Sequence, residues 1–158
     1  NIIFFAMIKI LFICHGNICR SPMAEFVMKD LVQKANLQDN IYIESAATST
    51  EELGNGMHRG TVTKLRQENI PFTNHRARQI TAQDYNNFDY LIGMDQENLY
   101  YMEKRWPNDT DHKISLLLEF ANLCRDIADP WYTGNFDKTY ADIQLGCQTL
   151  LEKIKERI

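Results

Sequence analysis

The chain has 158 residues, 44% of them apolar and 24% charged, with a formal net charge of −4. That size predicts one domain able to bury a single substantial core, with a composition ordinary for a soluble globular protein. The acidic excess argues against nucleic acid as the main partner, because phosphate-backbone binders carry basic excess, but it leaves room for a local basic pocket around one phosphate.

The opening stretch, Asn1-Ile-Ile-Phe-Phe-Ala-Met7, is apolar but short and lacks a basic n-region or a small-residue cleavage site. It supports neither a signal peptide nor a membrane span. Residues 1–7 are expected to be an upstream extension or cloning remnant, with Met7 suited to a native start, and residues 8–158 to form the domain. Ile8 to Cys14 is an almost unbroken apolar run of strand length, the pattern of a strand buried on both faces. The turn cluster His15-Gly16-Asn17 follows. Ser21-Pro22 then predicts a helix with Ser21 as N-cap and Pro22 in the first helical position. Glu25 is expected in the first turn, at the positive end of the dipole. Met23, Phe26, Val27 and Leu31 carry this helix to about Ala35.

Ile41 to Ala46 reads as a second strand, ending in the small-residue loop Ala47-Thr48-Ser49-Thr50. A helix through Val62 and Leu65 is expected to stop near Asn69, ahead of Ile70-Pro71. Phe88 to Met94 predicts a third strand and Ile114 to Leu118 a fourth. Ile143, Cys147, Leu150, Leu151, Ile154 and Ile158 share one face of a final helix. Strands alternating with helices imply an α/β fold, a single doubly wound domain with a mostly parallel sheet.

Four cysteines are present, Cys14, Cys19, Cys124 and Cys147. A chain this well supplied with apolar residues has no need of disulfide staples, and Cys14 and Cys19, spaced C-x4-C, have no second pair to complete a zinc set. Reduced thiols in a cytoplasmic protein, with no metal, are therefore expected. Cys124 and Cys147 sit in apolar sequence surroundings.

The informative stretch is Cys14-His15-Gly16-Asn17-Ile18-Cys19-Arg20-Ser21-Pro22, between the first strand and the first helix. In an open α/β sheet, ligands bind at the carboxyl ends of strands, where this loop lies. Successive backbone N–H groups and the helix N-terminus behind them form a concave anion site. Gly16 is expected to supply dihedrals that a side chain would obstruct. Arg20, six residues after Cys14, can fold back and offer a planar two-pronged donor to phosphate oxygens. A cysteine at a helix N-terminus beside an arginine is placed to act as a thiolate nucleophile. Ser21 can donate to that thiolate, and Asn17 can bond across the loop.

Hydrolysis of a phosphate ester also needs an acid for the leaving group, since the phenol of tyrosine ionises only near pH ~10. Asp129-Pro130-Trp131-Tyr132-Thr133-Gly134 supplies a carboxylate on a loop shaped by Pro130 and Gly134, with Trp131 and Tyr132 able to wall a flat pocket.

These residues closely resemble the low-molecular-weight protein tyrosine phosphatases, in the loop C-x-G-N-x-C-R-S-P and the later D-P-W-Y. The resemblance runs from Met7 onward and includes Glu44-Ser45-Ala46-Ala47-Thr48-Ser49, Ala77-Arg78-Gln79-Ile80-Thr81 and Gly93-Met94-Asp95. It implies a four-stranded parallel sheet flanked by helices, no cofactor or metal, and a tyrosine-phosphorylated protein or peptide as substrate, with inorganic phosphate as product. It further implies a phosphocysteine on Cys14, phosphate binding by Arg20, acid–base work by Asp129, a supporting network of Asn17, Ser45, His75 and Asp95, and protection of oxidised Cys14 by a disulfide to Cys19.

Two positions depart from that family. His15 stands where an apolar residue is usual, which makes the pocket floor or rim more polar. Glu51 falls where an aromatic pocket wall is usual, putting an acidic group near the entrance and disfavouring acidic phosphopeptides. Thioredoxin-coupled arsenate reductases look alike around the loop, but their disulfide relay needs mid-chain cysteines, and residues 68–105 have none. A phosphoarginine-specific branch resembles threonine before the second cysteine, whereas Ile18 favours a phosphotyrosine pocket. A phosphocysteine carrier or non-catalytic phosphate-binding module would need neither Arg20 nor Asp129. A dinucleotide site lacks its G-x-G-x-x-G.

Overall fold

Four parallel strands stand in the order β2-β1-β3-β4 at the centre of the protein. They are β1 (Ile8–Cys14), β2 (Ile41–Ala47), β3 (Tyr90–Gly93) and β4 (Ile114–Leu116). The helices are α1 (Arg20–Lys34), α2 (Arg59–Gln67), α3 (Asp84–Asn87), α4 (Gln96–Arg105), α5 (Pro130–Thr133) and α6 (Phe136–Lys155), with a 3-10 turn at Leu117–Ala121. This computed structural model describes residues 7–158, so all but Met7 of the expected N-terminal extension lies outside the described residues. No helix among the described residues is long and apolar enough to cross a membrane.

β1 is buried on both faces, as its unbroken apolar run requires. Ile10 and Phe12 face Met23, Val27, Ile143 and Leu150 of α1 and α6. Leu11 and Ile13 face Phe88, Leu91, Met102 and Trp106 on the other side. Each large apolar side chain removed from water in this way contributes roughly 1.5–3 kcal/mol before entropy is counted. β1 leads through α1 to β2 on one side, while β3 and β4 lie on the other. The strand order therefore reverses at the carboxyl end of β1, which opens a crevice there.

Several boundaries differ from the sequence expectation. α1 starts at Arg20 with Cys19 as its N-cap, so Ser21 and Pro22 lie inside the first turn and Ser21 caps nothing. Its hydroxyl is instead turned toward Cys14. Glu25 consequently lies beyond the first turn and is buried, bonded to Lys29 and Ser45. β3 is shorter than Phe88 to Met94, because the Met94 amide donates to Asn98 Oδ1 and its carbonyl accepts from Ile127, leaving nothing for a ladder. β4 ends at Leu116, whose amide is taken by Glu119 Oε2 at 2.6 Å as the chain turns into the 3-10 segment. Ile158 does not share the apolar face of α6; it lies past the helix end and is exposed, because the helix stops at Lys155. Cys124 is exposed rather than apolar in its surroundings, whereas Cys147 is fully buried.

Candidate active site

The loop between β1 and α1 is held from outside by its carbonyls. The Cys14 carbonyl accepts from Thr48 N, His15 from Ser49 N, and Ile18 from His58 N. Asn17 O accepts from His75 Nε2 at 2.9 Å, and Cys19 O from Thr61 Oγ1 at 3.2 Å. In a planar trans peptide the C=O and the following N–H point oppositely. Five outward carbonyls therefore turn the amides of His15, Gly16, Ile18, Cys19 and Arg20 inward. Those residues line a cavity of about 110 Å³ together with Cys14, Glu51, Glu52, Asp129, Trp131 and Tyr132. A concave set of N–H groups at a helix N-terminus is an anion receptor.

Asn17, not Gly16, takes the left-handed backbone conformation of the loop, with φ of 59°. Asparagine tolerates that region better than other side-chain-bearing residues, and here every polar atom of its side chain is used. Its Nδ2 donates to Ser21 Oγ at 2.7 Å and to Ser45 Oγ at 3.0 Å, and its Oδ1 accepts from Arg78 N at 3.2 Å. Gly16 serves by having no side chain, since a Cβ there would stand 3.3 Å from Glu52 Cγ, which packs over the loop.

Three donors converge on the Cys14 sulfur: Ser21 Oγ at 3.0 Å, Asn17 N at 3.3 Å and Ser21 N at 3.4 Å. The Ser21 hydroxyl accepts from Asn17 Nδ2 and has two neighbours for its own proton, the Cys14 sulfur at 3.0 Å and the more distant Ala46 carbonyl at 3.5 Å. Ser45, expected in the network, passes the chain onward to buried Glu25 at 2.6 Å, and His75 Nδ1 approaches the same carboxylate at 4.0 Å.

Arg20 is 2% exposed, with Nη1 on Asp95 Oδ2 at 2.6 Å and on the Ile127 carbonyl at 2.9 Å. Its Nη2 lies 3.4 Å from Asp129 Oδ2. Burial works against its charge, but Cys14, Asp95 and Asp129 outweigh that and hold its pKa above the ordinary value. Asp95 caps α4 through Asn98 N at 2.7 Å, so one carboxylate both starts a helix and aims the guanidinium. Asp129 likewise caps α5, accepting from Trp131 N at 3.0 Å. The Cys19 thiol is pushed up to about 12, first by burial and then by the charges of Cys14 and Asp129.

The structure brings every sequence-predicted site residue to this crevice or directly behind it. His15 lies on the rim, its Nε2 2.8 Å from Glu51 Oε2 and its Nδ1 3.6 Å from Glu97 Oε1. Trp131 and Tyr132 flank the mouth and are exposed. Sequence reasoning missed Glu52, Glu25, His58 and Arg78. Glu25 had one signal, being four residues after Ser21 and therefore on the same face of α1; the other three join the site only through loop packing.

The family model described as low molecular weight phosphotyrosine protein phosphatase matches residues 9–158. The chain is 41% identical over 152 residues to the low molecular weight protein-tyrosine-phosphatase YfkJ of Bacillus subtilis, covering 95% of this chain and 97% of that protein. The crystal structure of YfkJ superimposes with a TM-score of 0.93 at 40% identity, over 96% of this chain and 97% of that one. The low molecular weight protein tyrosine phosphatase SP-PTP of Streptococcus pyogenes gives a TM-score of 0.83 at 43% identity, over 93% of both chains. DARP, a drosophila arginine phosphatase, gives 0.86 at 36% identity, over 94% of this chain and 97% of that one. Fold, loop and sequence agree, and the chain belongs to the low molecular weight phosphotyrosine protein phosphatase family.

Proposed function

We propose that the protein hydrolyses phosphotyrosine in proteins or peptides, and small aryl phosphates, with Cys14 as nucleophile. The observation that carries this reading is the Cys14 sulfur at the base of an inward-facing amide loop, with three hydrogen-bond donors on it and the Asp129 carboxylate lining the same cavity. The dianionic phosphoryl group is held by the loop amides and the guanidinium of Arg20. The Cys14 thiolate attacks phosphorus as the bond to the phenolic oxygen breaks, and protonated Asp129 gives that oxygen its proton. Water then attacks the phosphocysteine, Asp129 takes the water proton, and inorganic phosphate leaves Cys14 as thiolate. Ser21 stabilises the thiolate each time it forms. Asn17, Ser45, His75 and Asp95 keep loop and guanidinium in place.

Ile18 on the cavity wall supports a flat aromatic ring over a guanidinium, so phosphotyrosine is favoured over phosphoarginine. Cys19, lining the same cavity, is the partner proposed to trap oxidised Cys14 as a disulfide in a cytoplasmic setting. A disulfide relay of the arsenate-reductase kind has less support, because Cys147 is fully buried in the core with its thiol pushed up by that burial.

The test is hydrolysis of a phosphotyrosine peptide by wild type, Cys14→Ser and Asp129→Asn without metal. We expect Cys14→Ser to be inactive and Asp129→Asn to be slowed by about 10²–10⁴, the range for loss of an acid–base group. An inactive wild type, or a Cys14→Ser variant that keeps its rate, would end this reading.

A further inference from the structure

The Asp129 loop must be aimed as well as present. Its entry is fixed by the Ile127 amide on the Met94 carbonyl, and the Ala128 carbonyl accepts from Thr139 Oγ1. Past Asp129 the chain turns outward, and Trp131 and Tyr132 are 57% and 83% exposed. A segment that open needs a contact elsewhere to hold its course, and the contact is an imidazole.

His58 touches three parts of the site at once. Its backbone N–H donates to the Ile18 carbonyl at 2.8 Å, tying it to the phosphate loop. Its Nδ1 accepts from Gly60 N at 2.9 Å and so caps α2. That bond fixes the ring plane and leaves both aromatic faces and the far edge free. The ring stacks on Phe136 at 5.3 Å and 23°, and meets Trp131 edge-on at 5.6 Å and 79°. Both partners belong to the acid segment: Trp131 donates its amide to Asp129 Oδ1, and Phe136 opens α6 directly after it. Gly60 is part of the same fit, since a Cβ there would lie 2.3 Å from Phe136 Cζ. Lys64 of α2 also reaches α6, pairing with the exposed Asp137 at 2.8 Å and lying over the Tyr140 ring at 5.3 Å.

We propose that His58 is a positioning residue which clamps the acid loop to the phosphate loop and so sets the aim of Asp129 toward the leaving-group oxygen. The inference rests on the acid role proposed for Asp129. It makes a distinction that a merely structural histidine would not: the clamp matters only when the leaving oxygen needs a proton. A dinitrophenyl phosphate expels a phenolate stable enough to leave unprotonated, whereas the phenolate of tyrosine does not.

Two variants separate the ring from the cap. His58→Asn keeps a side chain well suited to cap α2 but removes the aromatic faces. His58→Phe keeps the faces and removes the acceptor for Gly60. Rates are compared as kcat/KM, which covers only the steps through phosphorylation of cysteine, and amide hydrogen exchange is followed by mass spectrometry across residues 129–136 and 14–21. For His58→Asn we expect kcat/KM on a phosphotyrosine peptide to fall about ten-fold or more while dinitrophenyl phosphate changes by less than about two-fold, because a displaced acid loses geometry and not chemistry. Exchange should quicken in 129–136 and stay the same in 14–21, and His58→Phe should resemble wild type in both measurements. Unchanged exchange in 129–136 of His58→Asn would overturn the clamp whatever the activities are. Equal slowing of both substrates would overturn it too, because the effect would then run through the phosphate loop. A wild type inactive on both substrates would instead sink the proposed function, and the exchange data would still judge the clamp.

Discussion

Cys14 and Cys19 lie on one loop, five residues apart in sequence, yet their sulfurs meet different surroundings. Cys14 receives three donors, whereas Cys19 is an N-cap residue buried beside the charges of Cys14 and Asp129, which with burial push its thiol up to about 12. Only a thiolate is a strong nucleophile. Iodoacetamide at neutral pH is therefore expected to label Cys14 and the exposed Cys124 and to spare Cys19, with inorganic phosphate protecting Cys14 alone. Peptide mass spectrometry checks this, and labelling of Cys19 as fast as Cys14 would contradict it. The motif alone singled out Cys14 as the proposed nucleophile. The use of Asn17 as the left-handed residue was not legible there, because it depends on Ser21, Ser45 and Arg78 arriving from three separate elements.

Among the elements, the entry to β4 depends on one carboxylate. Asp109 accepts from the Tyr85 hydroxyl at 2.7 Å, from Lys113 N at 2.8 Å and from Ile114 N at 3.1 Å, joining α3 to the edge of the sheet. Burial works to raise its pKa, but these donors outweigh burial and hold it below the usual carboxylate value. A depressed folded pKa means the ionised group contributes stability above its unfolded value near ~3.9, and that this is lost as pH falls through the lower folded value. Asp109→Ala should therefore lower the unfolding free energy at neutral pH by about 1–3 kcal/mol, the cost of leaving such donors unpaired. The gap should narrow in acid, where protonation removes the part that depends on the ionised carboxylate. Urea titrations at the two pH values measure it, and a gap of the same size in acid would count against this account. The chain pattern around Asp109 held no sign of this bond set, since a Pro-Asn-Asp-Thr stretch reads simply as a turn.

At the scale of the whole molecule, a doubly wound sheet puts one crevice at the carboxyl end of β1 and crowds it with loops from five directions. The rim so formed is acidic, with Glu51, Glu52 and Glu97 around His15. His15 offsets part of that charge when protonated, and Glu52 adds to it without such a partner among its hydrogen bonds, donating nothing and accepting from Asn55. Phosphotyrosine peptides with basic neighbours should be turned over faster than acidic ones, by up to about five-fold, as exposed charge pairs are worth at most about 1 kcal/mol. Glu51→Gln should narrow the ratio and added salt should erase it. Equal rates for both peptides at low salt with Glu51 intact would show that the rim does not select.

The sequence by itself determined the strand run from Ile8 to Cys14, the parallel α/β class and the nine-residue loop between β1 and α1, because each is written in a local pattern: unbroken apolar residues, strands alternating with helices, or a contiguous motif; it also singled out Cys14, Arg20 and Asp129 for the roles proposed above. The family resemblance put Glu51 near the entrance, where it lines the cavity. What only the tertiary structure decided is how those pieces share atoms. Arg20 is aimed by Asp95 and the Ile127 carbonyl, 75 and 107 residues away in sequence. Ser21 faces the Cys14 sulfur instead of capping α1, since the helix begins two residues earlier than the Ser-Pro pair suggests, at Arg20. The ring of His58 reaches Trp131 only because α2 and α6 pack at Gly60. Hydrogen bonds and ring contacts act over a few ångströms of space, and distance along the chain carries no trace of them.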